Sequence, residues 1–163
     1  MSLDQDIIMK SQENQKKYKY MKAALNEAKK AELAHEVPVG AVVVYHDQII
    51  ARAHNKREKD QTFYAHAEFL AMMKAAKKIG SWRLEDCEVY VTMEPCPMCA
   101  GAMIQSRIKS IYYGVSDTKA GVAKSITNLF ELPFNHKVHV ESGILAEESQ
   151  TLLKEFFKKL REK

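Results

Sequence analysis

CEVYVTMEPCPMCAGAMIQSRIKSIYYGV, residues 87–115, changes its periodicity twice. Cys87, Val89, Val91 and Met93 alternate onto one side of a strand until Pro95 ends the pattern. From Pro97 to about Ser106 the residues favour a helix, because proline is at home in a first helical turn and MCAGAMIQS contains no breaker beyond a single glycine. IKSIYYGV then returns to strand character. Strand, helix and strand in this order imply a crossover and a parallel pair of strands, hence a sheet with helices on its faces. The expected fold class is α/β: a three-layer α/β/α sandwich around a mixed, about five-stranded sheet. Ligands in such sheets gather at the carboxyl ends of strands, where helices begin.

The flanking segments supply the remaining layers. Residues 14–34 place Tyr20, Ala23, Ala24, Ala28, Ala31 and Ala34 among lysines, the pattern of an amphipathic helix. Two β-branched runs at about 39–45 and 48–53 flank His46-Asp47 and read as a hairpin. AHAEFLAMMKAAKK, from Ala65 to Lys78, is a helix of strong formers, with Gly80 where its cap belongs. VHVESG is a short strand candidate, and AEESQTLLKEFFKKLRE closes the chain as an amphipathic helix. No repeat, low-complexity segment or linker is visible. Residues 14–163 are expected to form a single domain, preceded by an N-terminal extension, residues 1–13, for which disorder is one open reading.

Bulk properties bound the function. A chain of 163 residues with 46% hydrophobic content suits one core and is short for two. It contains neither a run of about 18 apolar residues nor the apolar stretch of a secretory signal, so no membrane role and a cytoplasmic location are expected. Three cysteines fit a reducing compartment better than a disulfide framework. The net charge of +4 is modest, but lysines concentrate in NQKKYKYMKAALNEAKK and KEFFKKLREK. Those runs read either as solvated helix faces or as a phosphate-contacting surface, and charge does not choose between them.

Cys96 and Cys99, three apart at a helix start, can turn both thiols toward one point. The helix N-terminus favours ionised sulfur there. Two cysteines fall short of a closed four-ligand zinc site, whereas an open catalytic site needs three protein ligands. Of six histidines, His66 stands apart because it starts a helix and has Glu68 two residues on. Mid-helix, positions two apart diverge by about 200°. At a terminus the first residue lies half outside the helix, and the two can converge. One imidazole and two thiolates would balance Zn2+ and leave a position for water, whose pKa zinc lowers toward about 7. An unligated carboxylate beside it suits general acid/base work, the role open to Glu68.

His66-Ala67-Glu68 followed by Pro95-Cys96-x-x-Cys99 resembles the zinc-dependent cytidine and adenosine deaminase superfamily. With EVPVGAVVV, ARAHN, GSWRLE, YYGVSDTKAG, FNH, SGILAEE and FFKKLR, the resemblance narrows to the bacterial tRNA-specific adenosine deaminases and covers roughly residues 18–161. It implies a homodimer that hydrolytically deaminates the wobble adenosine of an arginine tRNA anticodon stem-loop to inosine, releasing ammonia. His66, Cys96 and Cys99 match the zinc ligands, one ion per subunit, and Glu68 the proton shuttle. Asn55 matches an asparagine on the target nucleoside, Ala67 a residue beside the base, and Pro38-Val39 the pocket wall. Asp117 and Lys119 match a loop on the anticodon RNA, and Phe157 matches a C-terminal aromatic beside the substrate.

The chain departs from its relatives at Phe63 and Tyr64, which stand where many carry the turn residues of D-P-T-A-H-A-E. Cys87 reads as a buried small residue of a strand, and Glu94 has no assigned role. The zinc signature alone is shared with deaminases of free guanine, cytosine or deoxycytidylate. EVPVGAVVV, SDTKAG and FFKKLREK favour RNA over these. A nucleic-acid-binding module with structural zinc is the reading of a different class. It would need a fourth protein ligand and no use for Glu68.

Overall fold

A computed structural model describes residues 2–162. Its first element, helix α1 (Leu3–Leu33), begins well ahead of the expected residue 14. The segment left open to disorder is therefore helical over residues 3–13. Ser2 and Gln5 explain the early start, since each side chain caps the other's backbone N–H at 3.3 Å. Side chains become buried only from Tyr20 onward, where Met21, Ala24, Leu25, Ala28 and Ala31 meet the sheet.

Strands β1 (Gly40–Tyr45) and β2 (Gln48–His54) form the hairpin. His46 and Asp47 both take positive φ, 48° and 62°, as a two-residue turn matched to strand twist requires. A short helix, α2 (Arg57–Asp60), leads to α3 (Ala67–Ile79). Strand β3 (Cys87–Met93), helix α4 (Pro97–Gln105) and strand β4 (Ser110–Val115) make the strand–helix–strand unit. A 3-10 turn at Leu129–Glu131, strand β5 (His139–Glu141) and helix α5 (Ala146–Arg161) complete the chain. Sequence patterning missed α2 and the 3-10 turn, each held by contacts distant in sequence or by a single side-chain cap.

The sheet order is β2-β1-β3-β4-β5. Strand β1 is antiparallel to both neighbours, and β3, β4 and β5 run parallel. Alternation then sorts the core. Ala41 and Val43, Val89 and Val91, and Ile111 and Tyr113 pack with the faces of α3 and α4. Val42 and Val44, Tyr90 and Tyr112 pack beneath α1. The result is the three-layer α/β/α sandwich with a mixed five-stranded sheet. Gly40 is required where α1 crosses β1, because a Cβ there would collide with the Ala24 carbonyl and the Ala28 amide. Among the described residues, no helix is long and apolar enough to cross a membrane.

The topology positions a site. Strands β2, β3 and β4 all point the same way, so their carboxyl ends, with the entry to antiparallel β1, lie along one edge of the sheet. Val39, Asn55, Glu94 and Ser116 sit immediately outside those ends.

Candidate active site

Two helices begin at this edge, and each begins on a metal-ligand candidate. His66 is the N-cap of α3 and Cys96 the N-cap of α4. Both have extended backbones (φ −79°, ψ 149° and φ −80°, ψ 173°), and neither side chain caps its own helix. The imidazole and thiol are thus free to turn toward one another. Cys99, one turn into α4, completes the group. His66 Nδ1 lies 3.6 Å from Cys96 Sγ and 3.5 Å from Cys99 Sγ. The three donors form a His/Cys/Cys cluster compact enough to hold one metal ion.

The electrostatics favour an ionised Cys96, a protonated Cys99, whose hydrogen bond to Cys96 and burial raise its pKa, and an unusual carboxyl. The hydrogen bond from Cys99 pulls the Cys96 thiol down to about 4; burial opposes this and the bond to His66 adds to it. That contact with Cys96 in turn raises the His66 pKa. Glu68 is only 4% exposed, and burial pushes its carboxyl up to about 7. It sits in the first turn of α3, two residues after His66, pointing into the same cavity.

That cavity measures about 470 Å³. His66, Glu68 and Cys96 line it together with Val39, Asn55, Ala67, Asp117, Lys119 and Phe157. Cys99 is fully buried behind them. Pro38 does not reach the cavity: it is buried, and Val37 and Val39 on either side of it face the space instead. A kinked entry to β1 explains the exchange, since Val39 N–H donates to the Val37 carbonyl at 2.8 Å. Asn55 is partly committed to the fold. Its Nδ2 donates to the Val37 carbonyl (3.2 Å) and its Oδ1 accepts from Arg57 N–H (3.0 Å), leaving one N–H and one lone pair for a ligand. Cys87 is buried away from the cavity, its thiol pushed up to about 11 by burial. Phe63 and Tyr64 stand outside, with Phe63 79% exposed.

Sequence reasoning missed Arg57, which lines the cavity beside Asn55. Buried Glu36 secures this corner by accepting the N–H groups of Glu58 and Lys59 at 3.1 and 2.7 Å. No local pattern in NKREK carries that information, because the capping carboxylate comes from 22 residues upstream. Glu94 also faces this space, although its carboxylate is engaged elsewhere. Burial alone would raise its pKa, but hydrogen bonds from Ser125, Asp117 and Lys124 hold it below the ordinary carboxylate range.

Known proteins are similar to this chain in sequence and in fold. A family model of MafB19-like deaminases matches residues 15–161. The tRNA-specific adenosine deaminase of Bacillus subtilis (strain 168) is 52% identical over 145 residues, covering 88% of this chain and 90% of its own. A solved structure from work on A-to-I editing by tRNA:A34 deaminases at the wobble position of transfer RNA superposes with a TM-score of 0.80 at 39% identity. That match covers 82% of this chain and 98% of the other. The guanine deaminase of Nitrosomonas europaea superposes with a TM-score of 0.75 at 24% identity over 85% of this chain and 83% of its own, a likeness of fold alone.

Proposed function

Because this chain belongs to the family of tRNA-specific adenosine deaminases, we propose that it hydrolytically deaminates the wobble adenosine of a tRNA anticodon loop, expected to be that of arginine tRNA, to inosine, releasing ammonia. The observation that carries this reading is the convergence of His66, Cys96 and Cys99 beside buried Glu68 at the floor of one cavity. Zinc is the proposed ion. A tetrahedral site with Zn–S of about 2.3 Å and Zn–N of about 2.0–2.1 Å separates sulfur and nitrogen ligands by about 3.6 Å. The observed separations of 3.6 and 3.5 Å fit that edge. Bound there, zinc supplies the Lewis acidity that makes hydroxide available near neutral pH.

The chain's own residues do the rest. Glu68 takes up a proton at its carboxylate and delivers it to the departing nitrogen as ammonia forms. Val39 and Ala67 wall the base, and the free N–H and lone pair of Asn55 meet its polar edge. Burial of Glu68 keeps bulk water from competing for the proton. At the rim, Asp117, Lys119 and Arg57 face the RNA that carries the base, and half-exposed Phe157 offers a stacking surface. A base in an anticodon loop costs less to extrude than one in a duplex, which suits a site that takes its base into a cavity.

Residues 14–163 are read as one deaminase domain, with residues 3–13 as a helical extension of it. A cytoplasmic location follows from the substrate. We read the protein as a homodimer. An apolar depression of about 170 Å³ between α3 and α4 is bordered by Phe69, Met73 and Trp82. It continues through Tyr64, whose ring packs on Phe69, to exposed Phe63, and a run of exposed aromatic side chains of this kind suits a partner surface. Sedimentation checks this.

The deciding experiment incubates the protein with an arginine tRNA anticodon stem-loop and assays inosine, with free adenosine, cytidine and guanine as controls. Inosine from the stem-loop is expected. Product from a free base or nucleoside alone would overturn the RNA assignment.

A further inference from the structure

Glu94 is buried to 3% exposure at the end of β3, two residues before Cys96. Its carboxylate receives five hydrogen bonds, all from one loop. Oε1 accepts from Asp117 N–H at 3.0 Å and from the Ser125 hydroxyl. Oε2 accepts from three successive amides, Ala123, Lys124 and Ser125, at 3.0, 2.9 and 2.9 Å. Successive amides turned inward in this way form the concave nest that elsewhere binds free anions. Here the chain fills it with its own acid.

The loop is shaped around that carboxylate. A Cβ on Gly121 would strike the Glu94 carboxyl carbon, so only glycine permits the approach. Val122 N–H donates to the Pro95 carbonyl at 3.0 Å, a second tie between loop and metal turn. The far side of the same loop faces the cavity. There Asp117 Oδ1 folds it by accepting from Lys119 and Ala120 N–H at 3.1 and 3.2 Å.

We propose that Glu94 is a positioning residue, setting the loop of residues 116–125, and with it Asp117 and Lys119, at a fixed height above the turn that carries Cys96. The proposal deepens the deaminase reading and rests on it for its kinetic consequence. Glu94 touches no reacting atom. It acts by holding the RNA-facing wall and the metal turn as one rigid piece, so its loss acts on substrate binding more than on turnover.

Glu94→Gln tests this, because the amide turns one acceptor into a donor aimed at N–H groups. KM for the stem-loop should rise roughly tenfold or more while kcat changes by less than about threefold. Metal content should stay at that of the wild type, and hydrogen exchange at amides 123–125 should accelerate. In a double-mutant cycle, Lys119→Ala should raise KM less in the Glu94→Gln background than in the wild type, since the lysine is already misplaced. Unchanged KM with metal retained, or an additive cycle, overturns the proposal. If Glu94→Gln does not fold, Gly121→Ala displaces the loop while keeping the acid, and it must show the same rise in KM. A wild-type protein that makes no inosine would overturn the function instead, leaving hydrogen exchange to judge the anchoring of the loop.

Discussion

Glu68 shows how much depends on being the second residue of a helix. Burial lifts its carboxyl to about 7, and its place beside an N-cap histidine lets both side chains enter one cavity. We expect Glu68→Gln to match the wild type's metal content and to lose turnover by roughly 10²–10⁴-fold, the range for a removed general acid/base. Metal analysis alongside single-turnover inosine formation checks this; a fully active variant would reject the assigned role. The His66, Cys96 and Cys99 cluster and the nearby Glu68 were legible here, because H-x-E and C-x-x-C each lie within four residues. Arg57 and the five-fold anchoring of Glu94 were not: the short helix that carries Arg57 is capped by Glu36, 22 residues before Glu58, and the partners of Glu94 lie 23 to 31 positions away.

Helix α1 divides into two halves with different physical roles. From Tyr20 onward it buries a face on the sheet, whereas side chains 2–16 are all exposed. Deleting residues 2–13 should therefore change unfolding stability by no more than about 0.5 kcal/mol in a urea titration. Within the buried half, Glu27 pairs with Lys30 Nζ at 2.9 Å and His54 Nδ1 at 3.3 Å. Burial alone would raise this carboxyl, but the two partners outweigh it and hold the pKa below the ordinary range. A folded pKa below the unfolded value of about 4.3 stabilises above that pH and loses its contribution as the pH falls through the folded value. The melting temperature of Glu27→Gln should thus lie below the wild type's at pH 6, and the gap should close as the pH drops below about 4. A gap independent of pH would show that Glu27 does not titrate in this way.

At the scale of the molecule, charge and topology meet on one edge of the sheet. Lys119 and Arg57 stand at the cavity, and Lys154, Lys158, Lys159 and Arg161 extend along α5, whose Phe157 reaches the same rim. Neutralising several phosphates releases counterions, so stem-loop affinity should fall steeply between about 50 and 200 mM salt. Fluorescence anisotropy across that range measures the slope. A flat dependence would show that the lysine-rich ends are only solvated helix faces.

By itself the sequence determined the principal strands and helices and the pairing of H-x-E with C-x-x-C. Alternation in CEVYVTM, the helix formers of AHAEFLAMMKAAKK and the proline after Cys96 are local signals, written in neighbouring residues whose backbone preferences act over a few ångströms. Only the tertiary structure decided the wall of the site. Val37 and Val39 rather than Pro38 face the cavity, Asn55 keeps half its amide for a ligand, and Glu94 grips a loop that begins more than twenty residues later. These outcomes depend on which strand ends share one edge and on the donors brought there by folding, information that no short window of sequence contains.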